Sequence, residues 1–416
     1  MSTTTSDEVV SSAPDQENIR EAFGSYISRV RGGDLGSLPA VLGLIALVLI
    51  FTISQRSIFF SAFNFANLIS QGAMIIVIAM GLIFVLLLGE IDLSAGFCAG
   101  TSAAILGVAL TNKGWSLPVA LLACLGTGLL IGLIIGLLVA RLGIPSFVVT
   151  LAMFLALQGV MLLIIGEGGT IGINDPTILA IQNNNMTPVA GWILFLIVVA
   201  GYALSTGMTM RRRQASGLVA QSTQVWAAKV IGIAVLYGAA TYFLNEERSR
   251  HPEIHSIKGV PYIVPLILAL LVGLTFILSR TSFGRHVYAV GGNTEAARRA
   301  GINVAGVKIA CFIACSLLAA VAGILFASRD NSISPSTGGS TTLLYAVGAA
   351  VIGGTSLFGG RGKISDAVIG GIVVAVIDNG LPLITQDAGI QYIVTGLVLL
   401  VAASVDAISR RRSVAT

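Results

Sequence analysis

Charged side chains are scarce in this sequence: Asp, Glu, Lys and Arg supply 10% of its 416 residues, against about 25% in a soluble globular domain. That deficit excludes a water-facing surface over most of the chain. Histidine and cysteine are scarcer still, with three and four residues. Cys98, Cys124, Cys311 and Cys315 all lie in apolar runs, without the spacing of a disulfide framework or a zinc site. Cys311 and Cys315, one helical turn apart, read as small apolar packing residues. His251 and His255 have the spacing of a zinc-protease helix, but Pro252 follows the first and Glu253 falls one place late for a general base. An ordinary external loop is the expectation there. A phosphate-binding loop is also missing: Leu357-Phe-Gly-Gly-Arg-Gly-Lys363-Ile364 lacks the first glycine and has isoleucine where the magnesium-binding hydroxyl belongs. With no nucleophile–base pair and no metal set, the expectation is a protein that is not an enzyme and carries no metal or cofactor of its own.

What is present is apolar. Hydrophobic residues make up 55% of the chain, and 49 glycines sit among them, as in closely packed membrane helices; the mean hydropathy is +0.92. Apolar runs fall near 38–55, 66–88, 96–111, 116–140, 146–166, 189–207, 226–244, 260–279, 306–327, 342–358, 366–384 and 389–407, several close to the ~20 residues that cross a bilayer. Those at 96–111 and 342–358 are short and glycine-rich, so each reads either as a full span or as a broken half-helix. The expected fold is all-α, a polytopic transmembrane bundle of ten to twelve membrane segments. Twelve crossings from an internal N-terminus place eighteen of the 24 basic residues inside, which predicts both termini cytoplasmic. That distribution accounts for the net charge of +5 without nucleic-acid binding.

The chain divides into a polar tail, residues 1–37, a membrane domain, 38–408, and a short basic tail, 409–416. In the first, Ile19, Phe23, Ile27 and Val30 recur at helical spacing beside Arg20, Arg29 and Arg31, with Asp15 placed to cap and Gly32-Gly33 to terminate. This reads as an amphipathic helix on the membrane surface, or else as an unstructured tail. Two connections are long: 167–188, expected outside, and the basic 281–305, expected inside. A weak internal echo, Gly89-Glu-Ile-Asp-Leu-Ser-Ala-Gly96 against Gly353-Gly-Thr-Ser-Leu-Phe-Gly-Gly360, is compatible with a repeated-half transporter plan.

Glu90, Asp92 and Ser94 stand between two long apolar runs. Ionised groups at membrane depth are costly unless paired or wet, so they are candidates for a translocation path, the other reading being a simple loop. Asp366 is placed to cap the helix that follows. Asp378 and Asn379, with Gly380, fall inside an apolar run and suggest a bend facing the bundle interior; they complete the candidate path. In 281–305, Asn293 is placed to cap a short helix reaching Ala300, with Glu295 in its first turn and Gly301 just past its end. A charged helix isolated between two membrane spans buries little against its own protein and predicts a partner surface.

Val290-Gly-Gly-Asn-Thr-Glu-Ala-Ala-Arg298 with Ala300-Gly-Ile302 resembles the Glu-Ala-Ala-type coupling loop of bacterial ABC importer permeases, in the monosaccharide branch that includes the ribose and xylose permeases. Gly89–Gly96 and Gly353–Gly362 resemble two further motifs of that branch, in order, and the likeness runs from about Leu38 to Val405. Glu90 departs from the glycine common at that place. The longer middle region, about 168–258, with Arg211–Arg213 between an extra pair of spans, and Ile257-Lys-Gly-Val-Pro-Tyr262 are similar to the xylose-type members. The resemblance implies a permease subunit of the bacterial inner membrane, importing D-xylose by alternating access. Ribose or another monosaccharide, or a proton-coupled carrier, stand as alternatives. It further implies a second copy of the chain, ATPase subunits that bind ATP and Mg, and an extracytoplasmic sugar-binding protein, all working amid membrane lipid. The coupling surface it implies comprises Arg285, Gly291, Gly292, Asn293, Glu295, Ala296, Ala297, Arg298 and Gly301.

Overall fold

A computed structural model describes Gly24 and residues 38–218, 221–249, 251–254 and 256–414. The amphipathic helix expected around Ile19–Val30 lies outside the described residues, Gly24 apart, as does His255.

Each of the twelve apolar runs forms a helix. In order these are α1 (Leu38–Ser54), α2 (Ala62–Leu87), α3 (Ala95–Gly107, extended by a π-turn at Val108–Asn112), α4 (Leu117–Ala140) and α5 (Ser146–Ile165). A short α6 (Pro176–Asn183) precedes α7 (Pro188–Ala215), α8 (Thr223–Asn245) and α9 (Ile263–Arg280). Then come the small α10 (Ser282–Gly292) and α11 (Thr294–Arg299), followed by α12 (Val304–Asp330), α13 (Ser340–Gly353), α14 (Ile364–Ile384) and α15 (Ala388–Val414). Among the described residues nine helices are long and apolar enough to cross a membrane, so the chain is a multi-pass helical membrane protein. Helix is the outcome because a segment in hydrocarbon must satisfy its own backbone.

Of the two short runs, 342–358 gives only the 14-residue α13, whereas 96–111 gives an 18-residue apolar helix once its π-turn is included. The segment leading into α13 is non-helical and threads beside α3. A β-carbon at Gly107 would touch Ile333, and one at Gly96 or Gly100 would strike the carbonyls of Gly338 or Thr337. Irregular backbone of this kind is tolerated only where protein encloses it; Thr337 is buried. Residues 409–414 continue α15 rather than forming a separate tail.

The core centres on α2 and α12. α12 packs on α4, α2 and α3, and α14 on α13 and α2. Close approach is made by small residues: Gly128, Gly132 and Gly136 align every four residues along α4, and β-carbons there would lie 2.6–2.9 Å from Ser316 O, Phe312 O and the Ile309 Cα of α12. In a bilayer, where apolar burial between helices contributes little, such backbone-to-backbone contact is a principal source of association. The α7–α8 hairpin lies at the edge and buries few side chains; it is the extra pair expected around Arg211–Arg213.

Three expectations are refined. Asp366 is the third residue of α14, not its N-cap: its Oδ2 accepts from Lys363 N at 2.8 Å and from Thr355 Oγ1 at 3.0 Å. α14 runs helical through Asp378, Asn379 and Gly380 without a break. The long 167–188 connection is structured, with Ile171–Gly172 pairing antiparallel to Ser332–Ile333, and α6 capped by Asp175.

Candidate functional site

The segment 281–305 folds as two short helices rather than one. Thr281 caps α10 by accepting from Gly284 N at 3.2 Å, and Gly284, Val287 and Val290 bury one face of it. Asn293 caps α11, its Oδ1 accepting from Ala296 N at 2.9 Å. Gly301, with φ of +81°, ends α11. Ile302 N donates to Ala297 O at 3.1 Å and Gly301 N to Arg298 O at 3.0 Å, the paired closure that a left-handed glycine permits. Ala297 is buried, whereas Arg285, Asn293, Glu295, Ala296 and Arg298 are exposed. Glu295 pairs with Arg298 at 3.2 Å and Arg299 at 3.3 Å. All the sequence-predicted coupling residues thus lie on one compact unit, with the cap and stop where the sequence placed them.

Three glycine-rich strings distant in sequence meet beneath that unit. A β-carbon on Gly291 would overlap the carbonyl oxygen of Leu87, the last residue of α2. Gly360 N donates to the same oxygen at 2.8 Å. Gly89 and Gly359, with φ of +75° and +83°, turn against each other. Tyr288 Oη donates to Gly362 O at 2.7 Å. The near-miss for a phosphate loop is therefore a packing surface in which side chains would not fit. Beside it the Lys308 ammonium of α12 donates to the Glu90 carboxylate, both groups largely buried. Phe358 projects from this end with 81% of its surface exposed.

The five path candidates fall into separate places. Glu90 is engaged by Lys308. Asp92 and Ser94 lie sealed in the bundle, each fully buried; Asp92 Oδ1 accepts from Ser94 N at 2.8 Å and from Ser94 Oγ at 2.6 Å. Asn379 and Asp378 lie toward the opposite end. Asn379 is buried and exchanges hydrogen bonds with Asn64 at 2.8 and 3.0 Å, and its Nδ2 also donates to Gln71 Oε1 at 2.9 Å. Asp378 is half-buried and stands near Arg329 of α12 and Tyr345 of α13. Arg329 Nη2 donates to Asn67 Oδ1 at 3.2 Å.

Sequence reasoning missed Asn64, Asn67, Gln71, Arg329 and Tyr345. A signal was available in part: Asn64, Asn67 and Gln71 recur at three and four residues, one face of a helix, in an otherwise apolar run. At this same end the loop after α8 is built around two ionised groups. Arg248 donates to Leu244 O at 2.7 Å and Gly259 O at 2.9 Å. Glu247 accepts from Ser256 Oγ at 2.6 Å and from the amides of Ser249 and Ile257, each at 2.9 Å. The Ser256 hydroxyl, then those amides and Lys258, pull the Glu247 carboxyl down to about 2. Among the described residues no cluster of His, Cys, Asp and Glu is suited to a metal ion.

Comparison with known proteins gives a consistent result. Residues 64–403 match the family described as branched-chain amino acid transport system / permease component. The chain is 36% identical over 405 residues to the xylose transport system permease protein XylH of Escherichia coli K12, covering 97% of this chain and 99% of that one. It is 30% identical over 376 residues to the fructose import permease protein FrcC of Rhizobium meliloti, covering 89% and 86%. Against the ribose import permease protein RbsC of Escherichia coli K12 the figure is 30% over 374 residues, covering 89% and 92%. No solved structure matches.

Proposed function

The chain belongs to the branched-chain amino acid transport system / permease component family, and from that premise we propose that it is the membrane-spanning permease of an ATP-driven importer for D-xylose. It is a transport component, not an enzyme, and nucleotide binding in such systems belongs to separate ATPase subunits. The observation that carries the choice of sugar is the 36% identity to a xylose permease over 97% of the chain, against 30% to fructose and ribose permeases over a slightly shorter span.

On this reading both termini and the α10–α11 unit face the cytoplasm, and Arg285, Gly291, Gly292, Asn293, Glu295, Ala296, Ala297, Arg298 and Gly301 form the surface on which an ATPase subunit bears. The exposed Glu295 and Arg298 supply the charge that a partner reads, while Gly291 and Gly360, both seated on Leu87, supply the anchor. Movement of α11 would pass through α10 to the end of α2 and to the loop joining α13 and α14. The Lys308–Glu90 pair would tie α12 to the same body. A pair of permease copies, rocking between outward and inward openings, would then pass sugar handed over by an extracytoplasmic binding protein. Of the five path candidates, Glu90, Asp92, Ser94, Asp378 and Asn379, the half-buried Asp378 is the one proposed to meet the solute, the others being engaged by or enclosed in the bundle.

The test is reconstitution of the chain with its ATPase and binding protein in liposomes. D-xylose uptake that needs ATP and persists when the proton gradient is dissipated supports the reading. Uptake that follows the proton gradient and ignores ATP would instead favour a proton-coupled carrier.

A further inference from the structure

We propose that the groove between the α7–α8 hairpin and the body of the bundle is a phospholipid site, in which one acyl chain seats the hairpin against α1, α2 and α14.

Protein contacts hold the hairpin poorly. α7 and α8 pack chiefly on each other. α8 reaches the start of α2 near its own end, where the Phe243 ring lies 5.6 Å from those of Phe60 and Phe65. Beside that aromatic contact the helices part around a groove of about 550 Å³. Its walls come from α1 (Leu44), α2 (Leu68), α14 (Val376) and α8 (Leu236, Ala240), and every lining side chain is apolar or aromatic. Leu236 is 75% exposed and Phe60 62%, so the groove is continuous with the lipid-facing surface of the spanning helices.

Its occupant follows from where it lies. In hydrocarbon no hydrophobic effect drives apolar helices together, and association depends on van der Waals contact. A gap left empty forfeits that contact along both walls. A sugar would find no hydrogen-bond partners there for its hydroxyls. A helix of a second copy is about 10–12 Å across with its side chains. An acyl chain is a single file of methylenes and enters from the bilayer that already surrounds the groove. The reach fits too. From Phe243 to Leu236 the groove runs about 10 Å along α8, at ~1.5 Å per residue, and Leu44 and Val376 lie near the middles of α1 and α14. It therefore descends from one end of the helices to their midpoint, the depth of one leaflet in a ~30 Å core.

The mouth carries charge of both signs. Arg56 lies one turn before the lining residues Phe59 and Phe60, Glu246 lies one turn past Phe243, and both are exposed. Their neighbours Glu247 and Arg248 are committed to the loop after α8. A guanidinium for the phosphate and a carboxylate for an ammonium match the zwitterionic headgroup of an ethanolamine phospholipid.

The test is native mass spectrometry of the full chain released from detergent, which reads bound lipid and oligomeric state together. After exhaustive detergent exchange, dioleoylphosphatidylethanolamine is added back. The parent should bind one molecule, with a rise in unfolding temperature. Ala240→Trp, which fills the groove from α8, should weaken that binding at least about fivefold, and Arg56→Gln about threefold. Gly232→Trp, on the same helix but facing open space, should bind as the parent does. Leu236→Trp at the exposed rim supplies a second blocked groove should Ala240→Trp not fold. Parent-like binding in whichever blocked variant folds overturns the site, as does a parent that binds no lipid or equal weakening in Gly232→Trp. A lipid-free parent dimer that the blocked variants split into monomers would also overturn it, and would assign the groove to a second copy.

Discussion

Gly291 of α10 lies so close to the main-chain oxygen of Leu87 that a single methyl group at position 291 would overlap it. The contact joins the unit carrying the exposed charges of α11 to the end of the most enclosed helix in the bundle. Backbone meets backbone there, so no side-chain rotation can relieve a clash. Gly291→Val should therefore cost about 1–3 kcal/mol, as overpacking in a tight core does, and should reduce ATP-dependent uptake more than tenfold. Gly273→Val in α9 is the matched control, because a β-carbon there meets nothing; thermal unfolding in detergent together with uptake would compare the two.

Glu90 and Lys308 are expected to depend on each other. Their side chains are 17% and 20% exposed, between a surface pair worth ~0.2–1 kcal/mol and a buried one whose rupture costs ~3–5 kcal/mol. Glu90→Gln and Lys308→Met should each lower the unfolding temperature, and the double variant should fall by less than the sum. Strict additivity in such a cycle would show that the pair does not interact in the membrane.

Glu295→Arg should abolish uptake while leaving insertion and unfolding temperature close to those of the parent. The ion pairs of Glu295 with Arg298 and Arg299 are exposed, so their loss has little effect on stability. The reversed charge would act on a partner surface. Normal uptake by this variant would remove α11 from the coupling role.

The loop after α8 should loosen in acid. Its Glu247 carboxyl is held at about 2, below the ordinary 4.5, by a ring of donors. A depressed folded value means the contribution is complete above about pH 4.5 and disappears as pH falls toward 2. Amide exchange across 246–262 should be slow at pH 5 and, corrected for intrinsic rate, faster at pH 3. Glu247→Gln should show the faster pattern at both, and a variant matching the parent at pH 5 would count against the mechanism.

Gly132→Leu should separate α4 from α12. The β-carbon alone would sit 2.6 Å from Phe312 O, and the rest of the side chain has nowhere to go. A fall in the yield of folded protein is expected, whereas Gly126→Leu, facing open space, should be tolerated.

Much of this was legible in the sequence, and each reading has a physical ground. Twelve apolar runs became helices because hydrocarbon leaves the backbone no other partner. Asn293 and Gly301 bounded α11 because capping and helix termination are decided by neighbours three to five residues away. The α7–α8 hairpin was visible because two apolar runs flanked Arg211–Arg213. Burial was harder to read: Asp92 between two apolar runs and Asp378 inside one are both carboxylates in apolar surroundings, yet the first is fully buried against Ser94 and the second half-buried near Arg329.

Local chemistry in the sequence determined that this protein lives in a membrane, where most of its helices begin and end, and that a short charged helix stands between two membrane spans. Only the tertiary structure decided that Gly89, Gly291 and Gly360 share one packing point, that Glu90 belongs to Lys308, and that Arg329 of α12 reaches Asn67 of α2. Hydrophobic runs and caps are properties of adjacent residues. Which helix lies against which depends on where small residues let backbones approach, and that matching is made between segments hundreds of residues apart.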